Sequence, residues 1–267
     1  MKSLLQPASI YLHIPFCRKR CAYCDFTTYA GLDALIPVYA GALAHEINLV
    51  ADSRKESASL SVHTIYIGGG TPSLLPPHLL RQILAAMRQS FDISPDAEIT
   101  IEANPGTLDL PYLTALRAMG VNRLSIGAQS AQSEELRLLD RSHSFQDVVK
   151  VVRAARTAAF NNVNLDLIFG LPGQQMTQWR DTLRKTLALQ PEHLSLYALT
   201  LERATPLRTQ VESGTLTAPD SDRAADMYEC ATEKLAEYGF SQYEISNWAH
   251  NSGAFACRHN LQYWQNL

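Results

Sequence analysis

A chain of 267 residues accommodates one large domain or two small ones. Its 46% apolar and 18% charged residues support a sizeable core and exclude wholesale disorder. Lys and Arg total 23 against 26 Asp and Glu, and the net charge of −3 has the wrong sign for a nucleic-acid partner. Met1–Ala8 lacks the basic-then-apolar layout of a secretory leader, and no apolar run is expected to reach the roughly 18 residues of a membrane span. A cytoplasmic location is expected, with peripheral membrane contact left open.

In chain order, six short apolar or alternating runs read as strands: Ile10–Phe16, Thr64–Gly68, Glu98–Ala103, Arg123–Gln129, Val163–Phe169 and His193–Thr200. Between them, Leu35–Val50, Pro77–Arg88, Leu110–Met119, Phe145–Ala159 and Gln175–Leu189 repeat apolar residues at helical spacing. Thr205–Asp220 reads as a connection, and Asp222–Tyr238 as a last helix stopped by Gly239. Strict strand–helix alternation predicts an α/β fold with parallel strands and right-handed crossovers. Six units are too few for a closed eight-fold barrel and predict an open or partial one. We divide the chain at 204: residues 1–204 as the partial barrel, and 205–267 as a barrel-completing helix, an extra strand and the start of a further C-terminal region.

The strands alternate where a sheet buried on both faces would read continuously apolar. Tyr11 and His13 oppose Leu12, Ile14 and Phe16, and Thr100 and Glu102 oppose Ile99 and Ile101. Ser125, Gly127 and Gln129 oppose Leu124, Ile126 and Ala128; Asn164 and Asp166 oppose Leu165 and Leu167. The apolar set must face the helices, so the polar set lines the interior. Leaving such groups buried and unpaired costs about 1–3 kcal/mol each, so a polar ligand at the C-terminal strand ends is expected to satisfy them.

Three of the five cysteines follow the first strand, as Cys17-x3-Cys21-x2-Cys24. Such bunching does not suit a disulfide framework and points to a metal in a reducing compartment. Three thiolates cannot complete a four-ligand structural zinc site, but they can hold three irons of a [4Fe–4S] cluster and leave one iron open. Zinc with His13 or His45 as fourth ligand is the rival reading. Arg18, Lys19 and Arg20 lie between two of the cysteines, either as a solvated loop or as a dock for an acidic electron donor such as flavodoxin. Cys230 and Cys257 read as small buried hydrophobes.

The cysteine spacing, with Tyr23 before the last cysteine, resembles the signature of the radical S-adenosylmethionine (SAM) superfamily; Gly68-Gly69-Gly70-Thr71-Pro72 resembles its glycine-rich SAM-binding motif. The resemblance implies a partial (β/α)6 TIM-like barrel. It also implies a cluster on Cys17, Cys21 and Cys24 whose open iron is chelated by SAM, and one-electron cleavage of the sulfonium to methionine and a 5′-deoxyadenosyl radical. By the same resemblance Gly69, Gly70, Thr71, Glu102, Gln129, Arg141 and Asp166 match SAM contacts, with Tyr11 an aromatic near SAM and Tyr23 packing on the adenine. No catalytic residue is assigned.

The wider run Tyr11-Leu-His-Ile-Pro-Phe-Cys17 through Cys24-Asp-Phe26 resembles the oxygen-independent coproporphyrinogen III oxidases and their HemW-type haem-chaperone relatives. The oxidase branch carries a further cysteine where this chain has Phe26, and an N-terminal extension where only about ten residues precede the first strand. His259-Asn-Leu-Gln-Tyr263-Trp264 matches a chaperone motif associated with haem, which makes His259, Tyr263 and Trp264 candidate haem contacts. The resemblance therefore implies a radical SAM haem chaperone that binds haem and delivers it to acceptor proteins. The alternative is an enzyme that oxidatively decarboxylates coproporphyrinogen III. Relatives continue past the position of Leu267, so a haem or porphyrinogen site completed by that region is expected to be missing here.

Overall fold

The computed structural model describes residues 7–53 and 61–265. Eight strands form one sheet: β1 (Pro7–Ile14), β2 (Ser61–Gly69), β3 (Asp92–Ala103), β4 (Arg123–Gln129), β5 (Val163–Phe169), β6 (His193–Ala198), β7 (Phe240–Glu244) and β8 (Asn247–His250). The order is β1-β2-β3-β4-β5-β6-β8-β7, parallel through β6, with β8 antiparallel to β6 and β7 antiparallel to β8. Helices α1 (Ile36–Ser53), α2 (Pro77–Ser90), α3 (Leu110–Ala118), α4 (Ser133–Leu138), α5 (Phe145–Thr157) and α6 (Met176–Leu187) occupy the crossovers. This is the expected α/β partial barrel of six units. After β6 come α7 (Pro206–Glu212), α8 (Ser221–Glu237), the β7–β8 hairpin and α9 (Arg258–Gln265).

The outward residues of the strands make the core. Leu12, Ile67, Ile101, Ile126, Leu165 and Leu196 pack with Leu80, Leu116, Val151, Leu183 and Leu235 of the helices in one apolar cluster. Each such residue contributes about 1.5–3 kcal/mol, which fixes the register that turns the opposite, polar parity inward. Several helix starts are written locally. Asp109 caps α3 by accepting from the Tyr112 N–H at 2.8 Å, and Ser144 and Asp147 form a reciprocal capping box on α5.

Two sequence expectations are corrected. Thr205–Asp220 is not a plain connection, because Thr205 caps α7, whose Leu207 N–H donates to Ala22 O at 2.9 Å and ties the helix to the cysteine loop. The segment Asp33–Ser53, with mean hydropathy 1.4 over its best window, is long and apolar enough by composition to cross a membrane. Its Ala, Val, Leu and Ile residues are spread over the whole helix surface: Ile36, Ala40, Ala44 and Ile47 are buried in the core, while Leu35, Val38 and Leu49 are exposed. The periodic spacing of the buried set hid the apolar average.

Candidate functional site

The C-terminal ends of the parallel strands open onto a cavity of about 390 Å³. At its mouth Cys17, Cys21 and Cys24 lie on the loop that follows β1, each partly buried. Two neighbouring loops fasten that rim. Gly70 N–H donates to Ile14 O and Thr71 N–H to Phe16 O, both at 2.8 Å, while Tyr29 N–H donates to Pro15 O at 2.7 Å. Thr71 Oγ1 donates to Cys17 Sγ at 3.6 Å and receives Asn104 Nδ2 at 3.0 Å. Burial, and then the charge of the neighbouring cysteines, pushes the Cys17 thiol up; burial is also the main cause for Cys24. The three thiols are thus close enough to feel one another, although they do not form a closed metal-binding group among the described residues.

The zinc alternatives lose their fourth ligand. His13 Nε2–H donates to Thr27 O at 2.9 Å while Tyr11 O–H reaches Nδ1 at 3.3 Å, so both ring nitrogens are engaged. His45 sits on the exposed side of α1.

The glycine run packs where side chains would collide. Gly69 holds φ at +118°, and a Cβ there would lie 2.7 Å from the His13 ring. A Cβ on Gly70 would lie 2.7 Å from Phe16 O and 3.0 Å from Cys17 Sγ. The freed Gly69 N–H donates to Glu102 Oε2 at 3.0 Å, and Tyr66 O–H donates to Oε1 at 2.9 Å. Burial, then the charge of Asp166, raises Glu102 from 4.5 to about 7, and burial also raises Asp166. Two half-buried carboxyls facing one lumen suit a cationic guest, whose charge would favour their ionised forms.

The remaining residues singled out in the sequence distribute as follows. Gln129 lines the cavity from a left-handed backbone, φ 64°, at a bulge in the β4–β5 pairing. Arg141 donates from Nη1 to Cys21 Sγ at 3.4 Å, and from Nη2 to Gly127 O at 2.8 Å and to Asn104 Oδ1. Tyr23 lines the cavity and packs on Leu139, Ile168 and Leu171, burial raising its phenol. Tyr11 lies outside the cavity wall, its ring 6.0 Å from and stacked on Tyr66. Arg18, Lys19 and Arg20 are exposed; Lys19 pairs with Asp140 at 2.5 Å and Arg20 donates to Cys24 O.

The haem-contact candidates divide between buried and exposed positions, although the Tyr263 ring packs edge-on against the His259 ring at 5.8 Å. His259 begins α9 at the opposite end of the lumen, 4% exposed, with Nδ1 2.8 Å from Thr64 Oγ1 and its N–H donating to Glu98. Burial lowers its pKa to about 4. Tyr263 and Trp264 face outward, 69% and 56% exposed. Cys257 is buried as expected but is no mere hydrophobe, since its thiol donates to Glu98 at 3.4 Å; Cys230 is half-buried on α8. Asn104, Tyr66, Ser195 and Tyr197 also reach the cavity and escaped the sequence reading. Strand parity marks Tyr66, Ser195 and Tyr197, but nothing local marks Asn104, which lies beyond its strand.

The model of the radical SAM superfamily matches residues 11–186. The chain belongs to the radical SAM superfamily. Among curated radical SAM proteins it is 43% identical over 97% of its length to the mouse (Mus musculus) mitochondrial radical S-adenosyl methionine domain-containing protein 1, covering 57% of that protein. It is 41% identical over 97% of its length to heme chaperone HemW of Mycobacterium tuberculosis, covering 66%. The radical SAM enzyme HemN, coproporphyrinogen III oxidase from Escherichia coli, superposes over 92% of this chain and 56% of its own with TM-score 0.83 and 29% identity. The chain therefore spans about three fifths of these relatives.

Proposed function

We propose that this chain is the cluster- and SAM-binding barrel of a cytoplasmic haem chaperone, which binds haem and passes it to acceptor proteins. The observation that carries the reading is Phe26. It stands 65% exposed at the cavity mouth, two residues past Cys24, where an oxidase-type chain would carry another cysteine. Similarity to HemW over nearly the whole chain supports the same branch. The likeness to HemN keeps porphyrinogen decarboxylation as the second reading.

The donor set fits the superfamily's cofactors: three partly buried thiols on one loop, a side-chain-free cradle at Gly69 and Gly70, and two half-buried carboxyls within. Cys17, Cys21 and Cys24 would hold a [4Fe–4S] cluster; Gly69, Gly70, Thr71, Glu102, Gln129, Arg141 and Asp166 would hold SAM, with Tyr11 and Tyr23 beside it. When bound, this pair supplies one-electron chemistry at a sulfonium. The chain's own residues position it. Thr71 and Arg141 donate to Cys17 Sγ and Cys21 Sγ and hold them in place, while Glu102 and Asp166 offer acceptors to an ammonium or ribose hydroxyl. Arg18, Lys19 and Arg20 would face a flavodoxin-type donor. With His259 in the lumen floor, haem contact would fall to the exposed Tyr263 and Trp264.

The test compares anaerobic haem binding with coproporphyrinogen III turnover in a form that includes the C-terminal region found in relatives. Haem retention and transfer to an apo-acceptor without protoporphyrinogen formation is the expected outcome. Turnover dependent on SAM and reductant would replace this reading with the oxidase.

A further inference from the structure

The deepest cation of the lumen is not used by any of the cofactor assignments. Arg123 opens β4, is 2% exposed, and reaches the cavity beside Asn164, Ser195 and Asn260. The carboxylates whose charges act on it already have other partners. Glu98 accepts the N–H groups of Arg258 at 3.1 Å and His259 at 3.2 Å, and the Cys257 thiol. Asp166 accepts Asn164 Nδ2 at 2.7 Å and the Ser125 hydroxyl; Glu102 accepts Tyr66 and Gly69. Arg123 differs, because its Nε has no hydrogen-bond partner among the described residues. Glu98, Cys257, Tyr66 and Tyr243 reach it through their charge. A buried guanidinium whose Nε–H has no acceptor leaves one edge of its fork available to a guest.

We propose that the floor of this cavity is a carboxylate subsite, in which Arg123 receives one carboxylate of an organic acid that enters from the cysteine-loop end. The planar fork of Arg matches a carboxylate's two oxygens, and Asn164, Ser195 and Asn260 add polar edges around the same space. Glu98, Glu102 and Asp166 set the charge of the guest: one negative charge is balanced by Arg123, whereas a dianionic phosphate would be repelled by its neighbours. Access is from the mouth, since α9 and Cys257 close the other end through Glu98 and Thr64. The subsite does not rest on haem delivery. A chaperone that fails to transfer haem would still bind the probe, and a chain without the subsite could still carry haem on its outer surface.

The probe is carboxylate-labelled ¹³C-propionate, titrated by NMR into the intact chain with inorganic phosphate as competitor, with melting temperatures recorded in parallel. The native chain is expected to bind propionate in preference to phosphate. Arg123→Gln should bind it at least about tenfold more weakly while melting within about ten degrees of the native chain. Arg123→Lys keeps the charge without the fork and should fall between them. Propionate binding unchanged in Arg123→Gln, or phosphate binding the more tightly, would overturn the assignment. So would an Arg123→Gln chain that fails to fold or melts more than about ten degrees lower, since the guanidinium would then be holding the barrel together.

Discussion

Replacing Glu102 by Gln tests whether the lumen is strained toward a cationic guest. In the native chain the carboxyl is raised from 4.5 to about 7, first by burial and then by Asp166. The folded protein therefore binds more protons than the unfolded one between these values, and stability falls as pH rises through that window. Each tenfold displacement of a proton equilibrium is about 1.4 kcal/mol, so between pH 5 and pH 8 the native chain should lose about 2–3 kcal/mol that Glu102→Gln does not lose. Carboxyls other than Asp166, whose charge acts on Glu102, are common to both proteins and cancel. The amide keeps an acceptor for Tyr66 or Gly69, so the shape of the site is retained. Urea midpoints at pH 5, 6, 7 and 8 measure the difference, with Glu102→Gln becoming the more stable protein, relative to native, as pH rises. Parallel pH profiles would refute the reasoning, because they would mean that Glu102 ionises as freely inside the barrel as outside it.

The other predictions concern the rim and the floor. After anaerobic reconstitution the native chain should retain about four irons, and Cys17→Ala, Cys21→Ala and Cys24→Ala fewer than about one each, by iron and sulfide analysis. Gly70→Ala should cost about 1–3 kcal/mol in thermal melts and at least about tenfold in SAM affinity, because its methyl meets Phe16 O and Cys17 Sγ. His259→Ala should destabilise by about 2–3 kcal/mol through loss of a buried side chain and its Thr64 contact. Replacing the exposed Tyr263 and Trp264 together by Ala should leave the melting temperature nearly unchanged while weakening haem retention, measured by absorbance titration.

The fold was legible because period-2 and period-3.6 patterns are local. All six barrel strands and the six long helices lie within a few residues of their sequence positions. The site was legible where a side chain projects from a strand, as with Glu102 and Asp166, or where consecutive residues form one loop, as with the cysteines. It was opaque where tertiary contact decides. The register between β6 and β8 that brings Asn247 to Ser195 leaves no trace in spacing. The burial of His259 involves a contact 195 residues away in sequence, with Thr64, which the motif that made it a candidate haem contact does not reveal. Arg123 read only as the first residue of a strand because nothing nearby in sequence reveals that its side chain is buried and reaches the cavity.

The docking of residues 257–265 against Glu98 and Thr64 has a consequence for any guest. Until α9 seats, the ring of strands is a tube open at both ends, and its polar lining is wetted from below. Once α9 seats the bore is a blind well, so the dielectric around a guest is set by a helix that lies outside the six barrel units in sequence.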